Sequence, residues 1–274
     1  CIHLSEKNEQ LMIEGLFISA SGMLPKATQH EAIANNQANA EVPGFKKDNL
    51  FMREVREAMK RQSGDYPDWR INRFEGAWTD HEQAKLRKTG DVFDMALSGK
   101  GFFALQTSSG VQYTRNGNFS KNDQGMLVNP LGYQVLGEGG APIVIPENIT
   151  APIIDGAGIV RVRDEATGED TVIATIQIVD FPELYDKNSM AQTPYQNPLR
   201  KSKDGLFIPH PATSQVPADE VDIVQGFLEE SNVEPVLEMV RMIDTFRSYE
   251  AEQRAIQVQD STLERAVNDL GRVS

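Results

Sequence analysis

The residues of this chain that could do chemistry do not form a catalytic or metal-binding pattern. The four histidines lack the spacing of metal ligands and stand at His3, His30, His81 and His210. His30-Glu31 begins like a zinc-protease motif, but Ala34 occupies the position where the second histidine is required. An isolated histidine of this kind is typical of a structural role.

Other catalytic signatures are also absent from the sequence. There is no Gly-x-Ser-x-Gly segment and no phosphate-binding loop that ends in Gly-Lys-Ser/Thr. The glycine-rich segment 137–140 is followed by Pro142 and not by a helical run, which favours a hairpin turn over a phosphate site. Glu229 and Glu230 form a carboxylate pair, but the other groups that a catalytic site needs do not accompany them. We therefore expect no enzymatic activity, no cofactor and no bound metal.

The composition describes an acidic chain that is able to bury a core. Hydrophobic residues make up 39% of the 274 residues, and 40 acidic side chains exceed 27 basic ones, so the net charge is −13. This excess disfavours nucleic acid or an anionic membrane as the main partner, because both require a basic face. Cys1 is the only cysteine, which excludes an intrachain disulfide. The sequence contains no run of about 18 apolar residues, so it does not predict a membrane-spanning helix. The length predicts roughly two domains.

The N-terminal region carries the apolar repeat of a packed helix. From Ile13 onward, apolar residues that include Phe17 and Leu24 follow a heptad spacing, and Ile33 widens the stripe. Such a narrow stripe with several alanines suits packing against other helices. Pro25 interrupts the pattern and predicts either a kink or a helix that restarts with this proline in its first turn.

The C-terminal region predicts a second, longer helix. Its periodic apolar residues include Val240, Ile243, Phe246, Leu263 and Val267. Residues 236–270 contain no Gly or Pro, so about 35 residues form one helix about 50 Å long. Ser231 and Glu234 have the spacing of a capping box, although Pro235 could instead mark the first turn.

Since burial of one Leu, Val or Phe is worth about 1.5–3 kcal/mol, we expect the terminal helices to pair and then to pack with other subunits. A private intramolecular hairpin is the alternative.

Short strand-like segments separated by turns occupy the middle of the chain. They cover residues 91–97, 101–107, 111–115, 126–128, 133–136, 143–145, 159–162 and 171–179. This spacing is typical of an antiparallel β-domain, and residues 185–226 read as an irregular return leg. The predicted fold class is α+β, in which long N- and C-terminal helices form a coiled-coil stem and carry an inserted, mainly antiparallel β-domain.

Four motifs resemble the bacterial flagellar axial proteins, which include the rod and hook subunits. Residues 34–39 read Ala-Asn-Asn-Gln-Ala-Asn, and residues 43–47 read Pro-Gly-Phe-Lys-Lys. Gln37 stands where the family usually has leucine, and Val42 where it usually has threonine. Three further matches follow in order: Gly-Lys-Gly-Phe-Phe at 99–103, Tyr-Thr-Arg-Asn-Gly-Asn-Phe at 113–119, and Glu-Ser-Asn-Val at 230–233 before the C-terminal helix. The chain is therefore identified as a member of the flagellar basal-body rod protein family.

This resemblance implies a structural subunit of the rod, in the periplasmic part of the flagellar basal body. It implies export by the flagellar type III system and assembly through the terminal helices to transmit torque for motility. The implied partners are other rod subunits and the export apparatus, with no nucleic acid and no membrane insertion. Met12-Ile13 matches the usual family start, so residues 1–11 are expected to be an extension. A lipidated Cys1 is the alternative.

The expected organisation follows from these patterns. Residues 12–44 and 231–274 form the helical assembly stem, residues 45–90 connect, and residues 91–230 form the outer β-rich domain. The residues expected at the assembly interface are Ile13, Phe17, Leu24, Ile33, Asn35, Asn36, Asn39, Gly44, Phe45, Val240, Ile243, Phe246, Tyr249, Leu263 and Val267. A free-standing β-rich binding or adhesion module on a helical stalk is the alternative function, and a hydrolase in the acidic middle is a third.

Overall fold

The chain divides into two compact units in a computed structural model. The model describes residues 22–57, 69–146, 149, 151–163, 170–185, 198–218 and 221–270. Unit 1 takes the N-terminal segment up to Ala38, Asp48–Trp78 and the C-terminal segment from Glu234. Unit 2 takes Asn39–Lys47 and Thr79–Val233. The segment predicted to connect, 45–90, thus contributes residues to both units.

Among its described residues, unit 1 has two helices and a strand pair. Helix α1 is described over residues 22–38 and continues without interruption through Pro25. Strands β1 (Asp48–Glu57) and β2 (Trp69–Thr79) pair in a two-stranded sheet, and helix α2 runs from Pro235 to Leu270. Neither of the described helices is long and apolar enough to cross a membrane.

The predicted coiled-coil stem is wrong for the described chain. A coiled coil needs apolar residues at the positions where two helices meet. In α2 Val240, Ile243 and Phe246 are exposed instead, whereas Glu238 and Thr245 are buried. The described contacts between α1 and α2 include the rings of His30 and Phe246, whose centroids lie 6.5 Å apart. The apolar period was therefore present in the sequence, but most of the face that it defines in the first turns of α2 stays exposed.

Helix α2 begins with a proline in its first turn. The carbonyl of Glu234 accepts the first helical hydrogen bond from Glu238 N, at 3.0 Å, so Pro235 occupies the first helical position. Proline suits this position because its missing N–H has no intrahelical acceptor there. Ser231 Oγ accepts a hydrogen bond from Val233 N, at 3.2 Å, and so stabilises the preceding turn instead of capping the helix.

Unit 2 is a mainly β structure made of short strands. Its strands are β3 (Leu86–Lys88), β4 (Met95–Gly99), β5 (Phe102–Thr107), β6 (Gly110–Thr114), β7 (Ser120–Lys121), β8 (Leu127–Val128), β9 (Gln134–Val135), β10 (Ile153–Ile154), β11 (Ile159–Arg163), β12 (Asp170–Thr175), β13 (Ile178–Asp180), β14 (Leu199–Lys201), β15 (Phe207–Pro209), β16 (Val216–Pro217), β17 (Val221–Gln225) and β18 (Phe227–Glu229). A short 3₁₀-helix spans Pro182–Tyr185. Strands β14 to β17 lie in the segment that the sequence predicted to be an irregular return leg.

These strands form one large sheet and three small ones. The large sheet has nine strands in the order β14-β15-β6-β5-β9-β8-β7, with β13 paired to β5 and β16 paired to β13. Strands β10-β11-β12 form a three-stranded sheet, and β17-β4 and β18-β3 form strand pairs. The pairings within unit 2 are antiparallel, as the turn-rich sequence predicted.

Strand β5 separates the two apolar clusters of unit 2. Successive side chains of a strand point to opposite faces, so Phe102 and Ala104 enter one cluster while Phe103 and Leu105 enter the other. All four are fully buried, which explains why this segment reads as a continuous apolar run. The rings of Phe103 and Phe119 meet edge to face, with centroids 5.2 Å apart.

We expect Phe103→Ala to lower the free energy of unfolding by about 3–5 kcal/mol, because it leaves a cavity in the cluster that Phe103 shares with Leu105 and Phe119. Val144→Ala is the matched control, since the Val144 side chain is 49% exposed and its loss should change stability by less than about 0.5 kcal/mol. Chemical denaturation of both variants measures the difference. Equal midpoints would contradict the central position of β5.

Candidate assembly interface and the buried charge cluster

Helix α2 presents a stripe of exposed apolar side chains over its first three turns. We call this set the α2 stripe: Val236, Leu237, Met239, Val240, Ile243 and Phe246. The exposed fractions run from 40% at Leu237 to 76% at Val236. A contiguous apolar patch of this kind marks a protein–protein contact surface more often than an ordinary solvent face.

The stripe includes some of the predicted interface residues on α2. Val240, Ile243 and Phe246 belong to it. Tyr249 and Leu263 are only half-buried, and the side chain of Val267 lies outside the described part of the chain.

The predicted interface residues on α1 fall into different environments. Ile13 and Phe17 lie outside the described residues. Leu24 is 74% exposed, whereas Ile33 is buried within the fold. Asn35 is exposed near the end of the helix.

Asn36 joins the end of α1 to the start of β1. Its Nδ2 donates to the carbonyl of Asp48 at 2.8 Å, and its Oδ1 accepts from Asp48 N at 3.0 Å. The side chain is buried, so both of its hydrogen bonds are made inside unit 1. The structure thus gives this residue a role within the chain, and its place at an assembly contact stays a prediction.

The Pro-Gly-Phe-Lys segment folds against the end of β18. Asn39 follows α1, and its carbonyl accepts a hydrogen bond from Val42 N at 3.2 Å. Gly44 has a φ of 68°, which favours glycine, and its N–H donates to the carbonyl of Glu229 at 2.7 Å. A Cβ at Gly44 would lie 2.5 Å from the carbonyl carbon of Arg115, so a larger residue cannot approach as closely.

Phe45 anchors this turn by packing under a cation. The Lys201 ammonium lies 4.1 Å from the centroid of the Phe45 ring, a distance at which a cation is attracted to the ring face. Lys201 also donates to the carbonyl of Lys46 at 2.7 Å. The turn is therefore held by both an aromatic contact and a hydrogen bond.

Three buried charged side chains meet beside this turn, and we call them the charge cluster: Lys46, Arg115 and Glu229. The ammonium of Lys46 donates to Glu229 Oε1 at 2.6 Å, and both side chains are fully buried. Arg115 Nη1 donates to Glu229 Oε2 at 3.4 Å, and its Nη2 donates to the carbonyl of Gly99 at 2.7 Å. One carboxylate thus receives hydrogen bonds from two buried cations.

Burial is the main influence on the Lys46 ammonium. Desolvation lowers the pKa of Lys46 from its ordinary value, since the charged form loses water, while the Glu229 carboxylate opposes this shift. A further strong acceptor is the carbonyl of Glu82, which lies 2.6 Å from the Lys46 ammonium.

Asn232 is a second residue that ties separate segments together. Its Oδ1 accepts from Lys47 N at 2.7 Å, and its Nδ2 donates to the carbonyl of Asp80 at 2.9 Å. Asn232 lies in a family motif and Glu229 beside it, but the motif predicts no role for either residue. The only indication in the sequence is that both are polar residues close to an apolar strand. That position does not identify the residues with which they form hydrogen bonds.

The described residues hold no group of three or more His, Cys, Asp or Glu side chains that could bind a metal ion. An exposed apolar helix face and a fully buried ion cluster are features that build contacts. They are typical of the class of structural proteins that pack against other chains.

Comparison with known proteins identifies the family. Residues 96–162 match the "Flagellar hook protein FlgE/F/G D1 domain", and residues 224–270 match the "Flagellar basal body rod FlgEFG protein C-terminal". The chain is 30% identical to the flagellar basal-body rod protein FlgF of Caulobacter vibrioides, over 96% of this chain and 100% of that protein. FlgF of Mesorhizobium japonicum shows the same identity and coverage, and FlgG of Bacillus subtilis is 29% identical over 94% of this chain and 99% of its own length.

The chain belongs to the flagellar basal-body rod protein family. This confirms the family resemblance and the prediction that the chain is a structural protein and not an enzyme. It also confirms the flagellar basal body as the location and other rod components as partners. The free-standing adhesion module and the hydrolase are set aside by the same finding.

We expect Glu229→Gln to lower the free energy of unfolding by roughly 3–5 kcal/mol, because it leaves Lys46 and Arg115 buried without a counter-charge. Its neighbour provides a matched control. The Glu230 side chain is 46% exposed and pairs with Arg87 on the surface, so Glu230→Gln should change stability by less than about 1 kcal/mol. Thermal or chemical unfolding separates the two, and equal effects would mean that the charge cluster adds no stability.

Proposed function

We propose that this chain is an FlgF-like subunit of the proximal part of the rod. In this proposal it leaves the cell through the flagellar type III export apparatus, joins neighbouring subunits in the periplasm and transmits torque. The support is the similarity to FlgF proteins over nearly the full chain, together with the exposed α2 stripe. The stripe is the observation that carries the assembly role.

The energetics of the α2 stripe favour contact with other subunits. Full burial of one Val, Leu, Ile or Phe side chain is worth about 1.5–3 kcal/mol, and six such large apolar side chains are 40–76% exposed in the isolated chain. A subunit that packs against several neighbours in a helical array can bury such a stripe and pass torque through it. We expect a few central side chains, Val240, Ile243 and Phe246, to contribute most of the contact energy.

The remaining interface predictions extend this proposal to the N-terminal end. Residues 12–44 and 231–274 would supply the assembly contacts, and residues 91–230 would form the outer part of the subunit. Leu24 supports this arrangement on α1, since 74% of the residue is exposed and its side chain is apolar.

A charge placed in the α2 stripe should block assembly without unfolding the subunit. We expect Ile243→Asp to reduce rod incorporation and motility at least about tenfold, because a buried unpaired carboxylate destabilises a contact by several kcal/mol. Ile243 is 52% exposed, so the free subunit should keep its unfolding midpoint within a few degrees. The assay is recovery of the variant in purified basal bodies from cells that lack the wild-type copy.

Gln253→Asp is the matched control, because it introduces the same charge at an exposed position of the same helix outside the stripe. It should assemble normally. Normal incorporation of Ile243→Asp, or equal loss for both variants, would contradict the assignment of the stripe as the assembly surface.

A further inference from the structure

A short segment of unit 2 holds two distant parts of the chain. We call residues 80–85, between β2 and β3, the strap. At its start, Asp80 N donates to the carbonyl of Lys47 at 2.8 Å, and the carbonyl of Asp80 accepts from Asn232 Nδ2 at 2.9 Å. The strap therefore bonds to the segment 44–47 that follows α1 in the sequence and to the segment 229–232 that precedes α2.

The strap also completes the charge cluster. The carbonyl of Glu82 accepts from the Lys46 ammonium at 2.6 Å, and Ala84 N donates to Glu229 Oε1 at 2.9 Å. Displacement of the strap would remove one hydrogen bond from each member of the central ion pair. Its position is thus coupled to the contacts of both segments.

His81 anchors the strap by inserting its ring between aromatic side chains. The ring centroid lies 5.6 Å from that of Phe102 and 5.2 Å from that of Phe207, both in edge-to-face geometry. His81 is 7% exposed, and within the described residues neither ring nitrogen has a hydrogen-bond partner. The pocket accepts a neutral ring and offers no acceptor for the two N–H groups of an imidazolium.

The charges around the His81 ring also oppose protonation. Lys46 from the segment after α1, Arg115 from the end of β6 and Lys201 from β14 are the cations that face it. Glu229 of β18 is the nearby carboxylate of the cluster, and it is bonded to two of these cations. On the strap itself, the Asp80 carboxylate accepts from Glu82 N, and Glu82 is exposed.

We propose that His81 is an acid-operated latch: when its ring is protonated it leaves the aromatic pocket, and the strap releases the segments 44–47 and 229–232. The trigger is a proton, and the moving element is the strap. The rest of unit 2 stays folded because the cluster around Phe103 lies on the other face of β5 and contains no histidine.

The direction of the pH dependence follows from the two states of the ring. Burial, reinforced by Lys46, Arg115 and Lys201, lowers the pKa of His81 to about 3 in the closed state, whereas an open strap restores the ordinary value of about 6.5. The open state therefore binds more protons between these values, so the stabilisation that the neutral ring gives the closed state is fully present above about pH 6.5 and is lost progressively as the pH falls. The opening constant should rise about 100-fold between pH 7.5 and pH 4.5.

Amide hydrogen exchange of the purified full chain, corrected for the intrinsic effect of pH, tests the latch. We expect the backbone amides of Asp80 and Ala84 to exchange about 100-fold faster at pH 4.5 than at pH 7.5, because their acceptors lie on the two released segments. Reference amides at Ile176 and Ile223, which bond to Gly158 and Gly156, should not change. A rise of equal size at the reference amides would mean global acid unfolding and would overturn the proposal.

Substitution separates the latch from other acid effects. His81→Phe keeps an aromatic ring and removes the titration, so the strap amides should lose their pH dependence, while His210→Phe at an exposed position should keep it. Retained acid sensitivity in His81→Phe would overturn the latch. Should that variant fail to fold, NMR titration of the wild-type histidines decides: a His81 pKa well below 5 supports the proposal, and a value near 6.5 overturns it.

Discussion

The fully buried carboxylate of Glu229 is the constraint on which the packing of three separate segments of unit 2 depends. It receives the Lys46 ammonium, the Arg115 guanidinium and the Ala84 N–H, which come from three different segments. Buried charges are tolerated only when partners replace the water that they lose, so the three segments must converge with little freedom. Two further contacts join the same segments: the backbone of Gly44 lies close to that of Arg115, and the Asn232 side chain bonds to Lys47 and Asp80.

The polar contacts of unit 2 and the apolar α2 stripe of unit 1 differ in where their partners lie. In unit 2, the polar side chains of Lys46, Glu229 and Asn232 are paired internally, and that pairing makes its shape specific. The α2 stripe in unit 1 is apolar and half-exposed, and in our proposal neighbouring subunits cover it. In the proposed assembly the helix face is available for neighbours, while the polar contacts of unit 2 are made within the chain.

The sequence predicted the parts that depend on local pattern. Alternation and turn residues identified most of the β-domain strands up to β12, since strand pairing of neighbours along the chain leaves a short-range signature. The short strands β14 to β17 were missed, because their own segments are rich in Pro, Asn and Asp. Strand β17 also pairs with the distant strand β4, whereas β14 pairs with its neighbour β15. The apolar period of α2 was read correctly, but a period does not say whether its face meets the same chain or another one.

What the sequence by itself determined is the family, the absence of a catalytic constellation, the helical ends and the antiparallel middle. Each of these follows from residue type, spacing or motif. Only the tertiary structure decided that Lys46, Arg115 and Glu229 form one cluster, that Asn36 is satisfied inside unit 1 and that His81 is buried among cations. The physical reason is that Lys46 and Glu229 are 183 positions apart, and the energy of a buried charge depends on which groups surround it in space, which no local pattern encodes.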